Sequence, residues 1–373
     1  MKKNNYIKHF IILIPIIILM IISFFNMKNA SLISTQYTNH LNRQIMWYIL
    51  GYLVVIIFLF IKPTLLLKSS FYLYAINVLL LLLVLIFGKT INGARAWFDF
   101  GFFSYQPSET MKLTLLLYLL KINTTIPKNN IFLNELKLIL KVLFITLIPT
   151  VLTFLEPDTG AILIYGIIAL VTLLFSNIRK RWFSFFFLTI IIILGIFFAI
   201  FFFKQDTFVN LFGTSFFYRI DRLIDFKNGS GMQLENSLIA IGVSKTFGNG
   251  FNNFTIYIPE APTDFIFALT ITNFGFVGGL LVVLLSLTID VMLLLIIINN
   301  SETKIKKVAS TIFTILLFQQ VQNILMNIGL APIIGIPLPF LSYGGTNLIV
   351  LFCFIGLLIS MLISKEKYPL RVF

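Results

Sequence analysis

The chain has 373 residues, of which 58% are hydrophobic and only 11% are charged, and this composition excludes a soluble globular fold. The net charge of +14 would suit a nucleic-acid-binding protein, but the basic residues form short groups between apolar runs. Such a distribution is typical of membrane topology, so we expect contact with membrane lipid and no nucleic-acid partner.

Long apolar runs satisfy their backbone hydrogen bonds inside a membrane by forming helices. We predict an all-α polytopic membrane protein in which residues 1–373 form a single membrane domain of about ten transmembrane helices. The first span follows Lys2, Lys3 and Lys8, as in a signal peptide, but no small-residue cleavage pattern comes after it, so we expect it to be retained. The predicted spans are residues 10–25, 45–61, 71–87, 107–120, 138–155, 159–176, 183–203, 265–298, 308–327 and 342–363.

An even number of spans places both termini on one side of the membrane. If that side is the cytoplasm, the inner segments hold 18 basic residues against three acids, whereas the outer segments hold nine of each. The positive-inside rule favours this orientation. It predicts cytoplasmic termini and an outer position for Asp264.

One long connection, residues 204–263, forms a large extracellular loop in this topology. Sixty residues are too many for a passive connection, so we expect the loop to fold and to carry function. Residues 212–226 place Phe217, Ile220 and Ile224 on one helical face, which predicts a helix lying in the membrane interface.

Asp264 is the last charge before the apolar run that begins at Phe265, and it is our candidate catalytic residue. If Thr263 caps the helix, the helix dipole favours the ionised carboxylate, whereas desolvation in a closed cavity raises the pKa towards the range of a general base. The alternative is a simple charge at a helix N-terminus. Residues 265–298 would form a helix longer than the bilayer core, so we expect it to tilt or protrude, with Gly275 serving helix packing or a bend.

Charged residues inside or between spans need a reason, because burying them is costly. Glu109 and Lys112 are three residues apart and should share one helix face, either as a self-neutralising pair or as the wall of a polar cavity. The EPDTG segment at 156–160 predicts a tight turn in which Asp158 caps the next helix. A second role for this turn, lining the same cavity, stays open.

Arginines on the predicted outer side have two interpretations. Arg95, Arg219 and Arg222 are either interfacial anchors or contacts to a lipid phosphate. No His, Cys or carboxylate grouping has metal-ligand spacing, and the isolated His9 and His40 argue against a zinc site and against a Ser/His/Asp nucleophile. Carboxylate chemistry at the outer face remains.

Short motifs follow one another along nearly the whole chain: Arg43-Gln44, GARAW at 93–97, QPSE with Lys112 at 106–112, EPDTG at 156–160, Tyr218-Arg219-Ile220, NSLIAIG at 236–242, TDFIFA at 263–268 and GIPLPFLSYGGT at 335–346. Each motif alone is modest, but their order and spacing are specific. Together they resemble the SEDS family (shape, elongation, division and sporulation), the RodA/FtsW-like peptidoglycan glycosyltransferases.

The resemblance implies ten transmembrane helices and polymerisation of lipid II, the undecaprenyl-pyrophosphate-linked disaccharide pentapeptide, outside the bacterial cytoplasmic membrane. It implies that Asp264 is the essential acid, which deprotonates the 4-hydroxyl of the acceptor sugar for an inverting attack on the donor. It also implies a class B penicillin-binding protein, a transpeptidase, as partner. Whether a divalent cation assists the pyrophosphate leaving group stays open. The implied cavity or substrate-binding residues are Glu109, Lys112, Asp158, Arg43, Arg95 and Arg219.

The sequence departs from the family at Pro262, where His is usual, at Thr272 and Asn273, where paired glutamates are usual, and at Lys245-Thr246, which replaces a glycine pair. These departures indicate a divergent member and keep two alternatives open. One is a flippase for lipid-linked precursors, and the other is a non-catalytic scaffold for the transpeptidase. Against the flippase, no inverted repeat or broken helix is recognisable in the sequence.

Overall fold

The computed structural model describes residues 6–91, 93–101, 103–122, 130–214, 217, 220–221, 231–250 and 256–367, and most of them are helical. Two short 3-10 turns, Tyr6–Phe10 and Thr35–Tyr37, precede the first two helices. The helices are α1 (Leu13–Ile33), α2 (His40–Phe60), α3 (Pro63–Phe87), α4 (Pro107–Lys121), α5 (Ile131–Leu155), α6 (Thr159–Leu174), α7 (Arg181–Phe203), α8 (Gln205–Phe212), α9 (Gly231–Val243), α10 (Ile266–Asn299), α11 (Thr303–Asn327) and α12 (Gly345–Lys367).

Eight helical segments within the described residues are long and apolar enough to cross a membrane, and they correspond to α1, α2, α3, α5, α7, α10, α11 and α12. The helices α4 and α6 have 15 and 16 residues and coincide with the fourth and sixth predicted spans. Each extends only about 23 Å at ~1.5 Å per residue. The helical membrane class is therefore confirmed, whereas the total of ten spans stays a prediction.

A small antiparallel sheet connects α3 to α4, and the all-helical prediction missed it. Its strands β1 (Lys89–Ile91), β2 (Ala94–Asp99) and β3 (Ser104–Tyr105) are ordered β1-β2-β3. An ion pair of 2.6 Å between Lys89 and Asp99 joins the first two strands. The sheet delivers the chain to Pro107, whose fixed φ suits the first position of α4.

The helix α10 is broken at Gly275, where φ is 69° and ψ is −165°. The segment after α9 fills the break: Asn249 N–H donates to Thr272 O at 3.0 Å, and Phe276 N–H donates to Lys245 O at 3.2 Å. A Cβ at Gly275 would lie 2.3 Å from backbone atoms of that segment, so both the backbone conformation and the close approach require glycine. The bend foreseen at Gly275 is thus a complete interruption, and the expectation of no broken helix was wrong.

Helix packing brings four chain segments together at one end of the bundle. The helix α10 packs against α1 and α11, α12 packs against α2, and α4 packs against α3, α6 and α12. Hydrogen bonds link the residues at the starts of these helices, from Ser108 to Asp158, from Gln106 to Thr346 and from Tyr343 to Pro262. The N-terminal ends of α4, α6, α10 and α12 therefore meet. The predicted interfacial helix at 212–226 falls largely outside the described residues.

Candidate active site

The segment before α10 is a tight turn that fixes the backbone of Asp264. The N–H groups of Thr263, Asp264 and Phe265 all point at Glu260 O, at 3.1 to 3.2 Å. Glu260 itself has a φ of 54°. Thr263 does not cap α10, because the helix begins two residues after Asp264 and the Thr263 hydroxyl donates back to the Glu260 carboxylate at 2.9 Å. The helix dipole thus acts on Asp264 less directly than the sequence suggested.

Two buried asparagines of α11 hold the same turn from the core side. Asn323 Nδ2 donates to Asp264 O at 2.9 Å and to Ile336 O at 2.8 Å. Asn327 Nδ2 donates to Asp264 O at 3.0 Å, and its Oδ1 accepts from Ala268 N at 2.9 Å. Since buried amides are costly unless they are hydrogen-bonded, these contacts fix where the Asp264 backbone lies.

The segment between α11 and α12, residues 328–344, packs against the Asp264 turn. Ser342 Oγ donates to Thr263 O at 2.7 Å, and Tyr343 N donates to Pro262 O at 2.8 Å. Gly335 lies so close that a Cβ there would be 3.5 Å from Asp264 Oδ2. The family departure at Pro262 therefore keeps a backbone contact that any residue type provides.

The carboxylate of Asp264 receives no hydrogen bond or ion pair from the described residues, although its backbone is tightly held. The side chain is half-buried. Burial, followed by the negative charge of Glu260, raises the pKa of Asp264 to about 7. The carboxyl group can therefore exchange a proton near neutral pH.

Asp158 differs from Asp264, because both of its carboxylate oxygens accept hydrogen bonds. Oδ2 accepts from Gln106 Nε2 at 3.0 Å and from Ser108 Oγ at 2.8 Å, while Oδ1 accepts from Ala161 N at 3.0 Å. The predicted cap of α6 is therefore present in the structure. The same carboxylate also fastens the start of α4 to the start of α6.

Glu109 and Lys112 form the ion pair expected from their spacing, at 2.6 Å, with side chains 9% and 4% exposed. Glu109 Oε2 has no hydrogen-bond partner among the described residues. Ile336 follows Gly335, which lies beside Asp264, and it also packs against Gly160, where a Cβ would lie 3.1 Å from the Ile336 side chain. The loop that touches Asp264 thus continues to the turn of Asp158 and to the start of α4.

The three candidate arginines have different surroundings. Arg43 is exposed at the start of α2 and lies beside Tyr343, where it lowers a tyrosine pKa that burial raises. Arg95 is exposed on β2 and donates to Leu85 O at 3.3 Å. Arg219 lies outside the described residues. Of the two arginines that the structure describes, Arg43 is the one placed next to the segment that packs on Asp264.

Two further polar residues, Glu156 and Asn273, lie in or near this end of the bundle. Glu156 is fully buried, and neither of its carboxyl oxygens has a hydrogen-bond partner among the described residues. Asn273, one of the departures from the family, donates to Asn26 Oδ1 at 2.8 Å and accepts from Asn29. Asn26 donates in turn to Thr270 at 2.8 Å. These hydrogen bonds join α1 to α10 just before the break at Gly275, so Asn273 has a packing role.

The described residues contain no group of three or more His, Cys, Asp or Glu side chains that could hold a metal ion. Helices and site together define a polytopic helical membrane protein with a carboxylate site at one end of its bundle. The family model of the FtsW/RodA/SpoVE cell cycle proteins matches residues 4–367. The chain belongs to this family.

Relatives and solved structures agree with that membership. The chain is 35% identical over 315 residues to the probable peptidoglycan glycosyltransferase FtsW of Wigglesworthia glossinidia brevipalpis, covering 80% of this chain and 75% of that one. It is 33% identical over 295 residues to stage V sporulation protein E of Bacillus subtilis, covering 76% and 75%.

Two solved structures share the fold. One is a chain from a study of structural coordination of polymerization and crosslinking by a peptidoglycan synthase complex, with a TM-score of 0.78, 24% identity and coverage of 96% of this chain and 97% of that one. The other is the rod shape determining protein RodA of Thermus thermophilus, with a TM-score of 0.66, 23% identity and coverage of 97% of both chains. At these identities the likeness shows the fold alone.

Proposed function

We propose that this protein is a membrane peptidoglycan glycosyltransferase that polymerises lipid II, with Asp264 as the general base. The observation that carries the assignment is the state of Asp264. Its backbone carbonyl accepts hydrogen bonds from Asn323 and Asn327, whereas its half-buried carboxylate is bonded to none of the described residues. Family membership and the names of the relatives support the reaction class.

In the proposed reaction, the Asp264 carboxylate accepts the proton of the acceptor sugar's 4-hydroxyl. The hydroxyl oxygen forms a bond to the anomeric carbon of the donor sugar from the face opposite the leaving group, which inverts that carbon. The bond from the anomeric carbon to the pyrophosphate-linked lipid breaks, and the pyrophosphate leaves with the electron pair. The raised pKa of Asp264, about 7, suits a base that works near neutral pH.

The same site offers contacts for the rest of the substrate. Glu109 and Lys112 form a charged wall whose second carboxylate oxygen is free of protein partners in the described residues, and Asp158 fixes the neighbouring turn. We assign the pyrophosphate to arginine, because a guanidinium binds phosphate oxygens in a bidentate manner. Arg43 is the first candidate, since it lies beside the loop that contacts Asp264. Arg95 and Arg219 are further candidates.

A transpeptidase of the penicillin-binding class is the proposed protein partner. The structural neighbour of higher TM-score comes from a complex described by its coordination of polymerization and crosslinking. A polymerase that works at the outer face would deliver strands directly to such a crosslinking enzyme. The charge distribution of the chain supports this placement in the cytoplasmic membrane, with both termini in the cytoplasm.

The direct test is polymerisation of labelled lipid II by purified protein in detergent, with and without the transpeptidase. We expect a ladder of glycan products from the wild-type protein and none from Asp264→Asn. Full chain formation by Asp264→Asn would remove Asp264 from the mechanism. Absence of a ladder under every condition, with Asp264→Ala still rescuing a depletion strain, would favour the scaffold alternative.

A flippase for lipid-linked precursors is the second candidate, and the interruption of α10 at Gly275 favours it, because transporters commonly use discontinuous helices at their sites. Here, however, the break is filled by the backbone of residues 245–249 rather than left free to coordinate a ligand. Liposomes containing the protein would distinguish the two functions. Transfer of labelled lipid II across the bilayer without glycan formation would support the flippase.

A further inference from the structure

A cavity of about 570 Å³ lies at the end of the bundle opposite Asp264. Its sides come from the N-terminal segment that leads into α1, the last turns of α10 and the last turns of α12. Asp264 precedes the first residue of α10, so the length of that helix separates the cavity from the candidate active site. Its volume falls in the range of roughly 300–1,000 Å³ that is typical of small-molecule sites.

The deep part of the cavity is apolar and opens towards lipid. Met292 precedes Asn299 by seven residues, which corresponds to about 10 Å along the helix axis. Ile11 and Leu295 line the cavity and are 44% and 52% exposed, so its apolar wall continues into the lipid-facing surface. The apolar lining residues are Ile11, Ile12, Met292, Leu295, Ile296 and Leu362.

The rim of the cavity is polar and carries more positive than negative charge. Glu366 is shared by Lys8 at 2.7 Å and His9 at 3.0 Å. Lys365 Nζ instead donates to two neutral oxygens, Asn300 Oδ1 at 2.8 Å and Ser301 Oγ at 2.9 Å. An ammonium group has three N–H donors, so one of them remains for a ligand. Within the described part of the chain, no carboxylate neutralises Lys365.

We propose that this cavity binds one anionic glycerophospholipid, with the phosphate at Lys365 and an acyl chain along the apolar wall. The arrangement matches such a lipid in three ways: charge at the rim, apolar depth along the membrane normal, and a lateral opening. A free phosphate would use only the rim. A zwitterionic lipid would add an ammonium group of its own beside its phosphate, so it would bring no net negative charge to a rim that is already positive. Basic pockets between transmembrane helices on the cytoplasmic side are suited to anionic headgroups.

The test uses the full-length protein in mixed micelles, with bound lipid counted by native mass spectrometry. We expect phosphatidylglycerol to be retained about five-fold better than phosphatidylethanolamine of the same acyl composition, the preference that one basic residue near a membrane surface provides. Lys365→Gln should abolish this preference, and Lys365→Arg should keep it. Lys62→Gln is the matched control, because Lys62 is exposed at the start of α3 and does not line the cavity.

A second variant tests the apolar part alone. Ile296→Trp fills the apolar part of the cavity and leaves every rim charge in place, so retention of phosphatidylglycerol should fall. Equal retention of the two lipids by the wild-type protein would overturn the proposal, as would equal losses in Lys365→Gln and Lys62→Gln. Binding of inorganic phosphate that depends on Lys365 and is unaffected by Ile296→Trp would assign the cavity to a free anion and also overturn it. Unchanged thermal unfolding midpoints show that the variants are folded.

Discussion

Asp264 and Asp158 are two half-buried carboxylates that end the loops before α10 and α6, yet their surroundings differ completely. Three donors satisfy Asp158, namely Gln106, Ser108 and the backbone of Ala161. For Asp264 the relation is reversed: its backbone carbonyl is held, and its carboxylate is left without a hydrogen bond from the described residues.

The difference distinguishes a carboxylate that holds the local structure from one that is available for proton transfer. Both oxygens of the Asp158 carboxylate are occupied by protein donors, so this side chain holds the turn in place. A carboxylate that is partly desolvated and unbonded holds a proton more readily, and an acceptor hydroxyl can approach it. Asp158 therefore organises the wall of the site, and Asp264 is the residue available for proton transfer.

The largest contrast should come from the same substitution at both positions. Asp264→Asn removes the base, and we expect lipid II polymerisation to fall at least about 100-fold, the usual contribution of general base catalysis. Asp158→Asn keeps one oxygen for Ala161, and Ser108 and Gln106 can reorient to accept from the new amide. We expect activity within about ten-fold of wild type and a stability loss of about 1 kcal/mol. Initial rates of glycan formation and thermal unfolding in detergent measure the two effects.

Asp206→Asn serves as the control for this pair, because Asp206 is an exposed residue of α8. It should leave the rate and the unfolding midpoint unchanged. If Asp158→Asn abolished polymerisation while Asp264→Asn preserved it, the roles assigned to the two carboxylates would be reversed.

The pH dependence of the rate sharpens the comparison further. The pKa of Asp264 is about 7, raised by burial and by Glu260, and the base must be ionised to accept a proton. The polymerisation rate should therefore fall as the pH drops below about 7, by up to about ten-fold per pH unit. Glu260→Gln removes the repulsive charge and lowers the pKa of Asp264, so its rate should persist to lower pH than in the wild-type protein. A shift of the Glu260→Gln profile to higher pH would contradict this account.

The asparagines behind Asp264 should have a smaller effect than the carboxylate itself. Asn323→Ala leaves the Ile336 carbonyl without this donor, at a cost of roughly 1–3 kcal/mol, and leaves the Asp264 carbonyl with the Asn327 bond alone. We expect about a ten-fold loss of rate through misplacement of Asp264, with the pH profile unchanged because the charges near the carboxylate are unchanged. Thr314→Ala on the same helix is the control, since the Thr314 hydroxyl bonds, among the described residues, to Ser310 O within α11 alone. Equal losses in the two variants would deny Asn323 a positioning role.

The sequence was sufficient for the class of fold and for the local geometry of short motifs. Apolar runs and spaced charges predicted membrane helices, the three-residue spacing predicted the pair of Glu109 and Lys112, and EPDTG predicted the Asp158 cap. Each of these depends on residues that are close in sequence or on composition. Such local relations are what a single sequence encodes most directly.

Long-range contacts account for most of what was missed. Residues 245–249 hydrogen-bond into the break at Gly275, and a glycine in an apolar run does not reveal that partner. Asn323 and Asn327 were detectable in principle, since buried amides four residues apart in a span share a face and need partners. Their target, the backbone of Asp264, lies 59 and 63 residues away and is visible only in the structure.

The last comparison concerns stability rather than rate, at Glu156, a buried carboxyl group two residues before Asp158 that is bonded to none of the described residues. Burial and then Asp158 raise the pKa of Glu156 from 4.5 to about 9. Since the folded state binds this proton more tightly than the unfolded state, Glu156 contributes stability below pH 4.5 that is lost as the pH rises to about 9. Glu156→Gln cannot titrate, so its stability should decline less steeply across this interval, by up to roughly 1 kcal/mol per pH unit. Thermal unfolding midpoints at several pH values measure how stability changes with pH. Glu235 is exposed on α9, so Glu235→Gln is the control and should keep the wild-type pH dependence. Parallel curves for the wild-type protein and Glu156→Gln would show that the Glu156 carboxyl is ionised in the folded state.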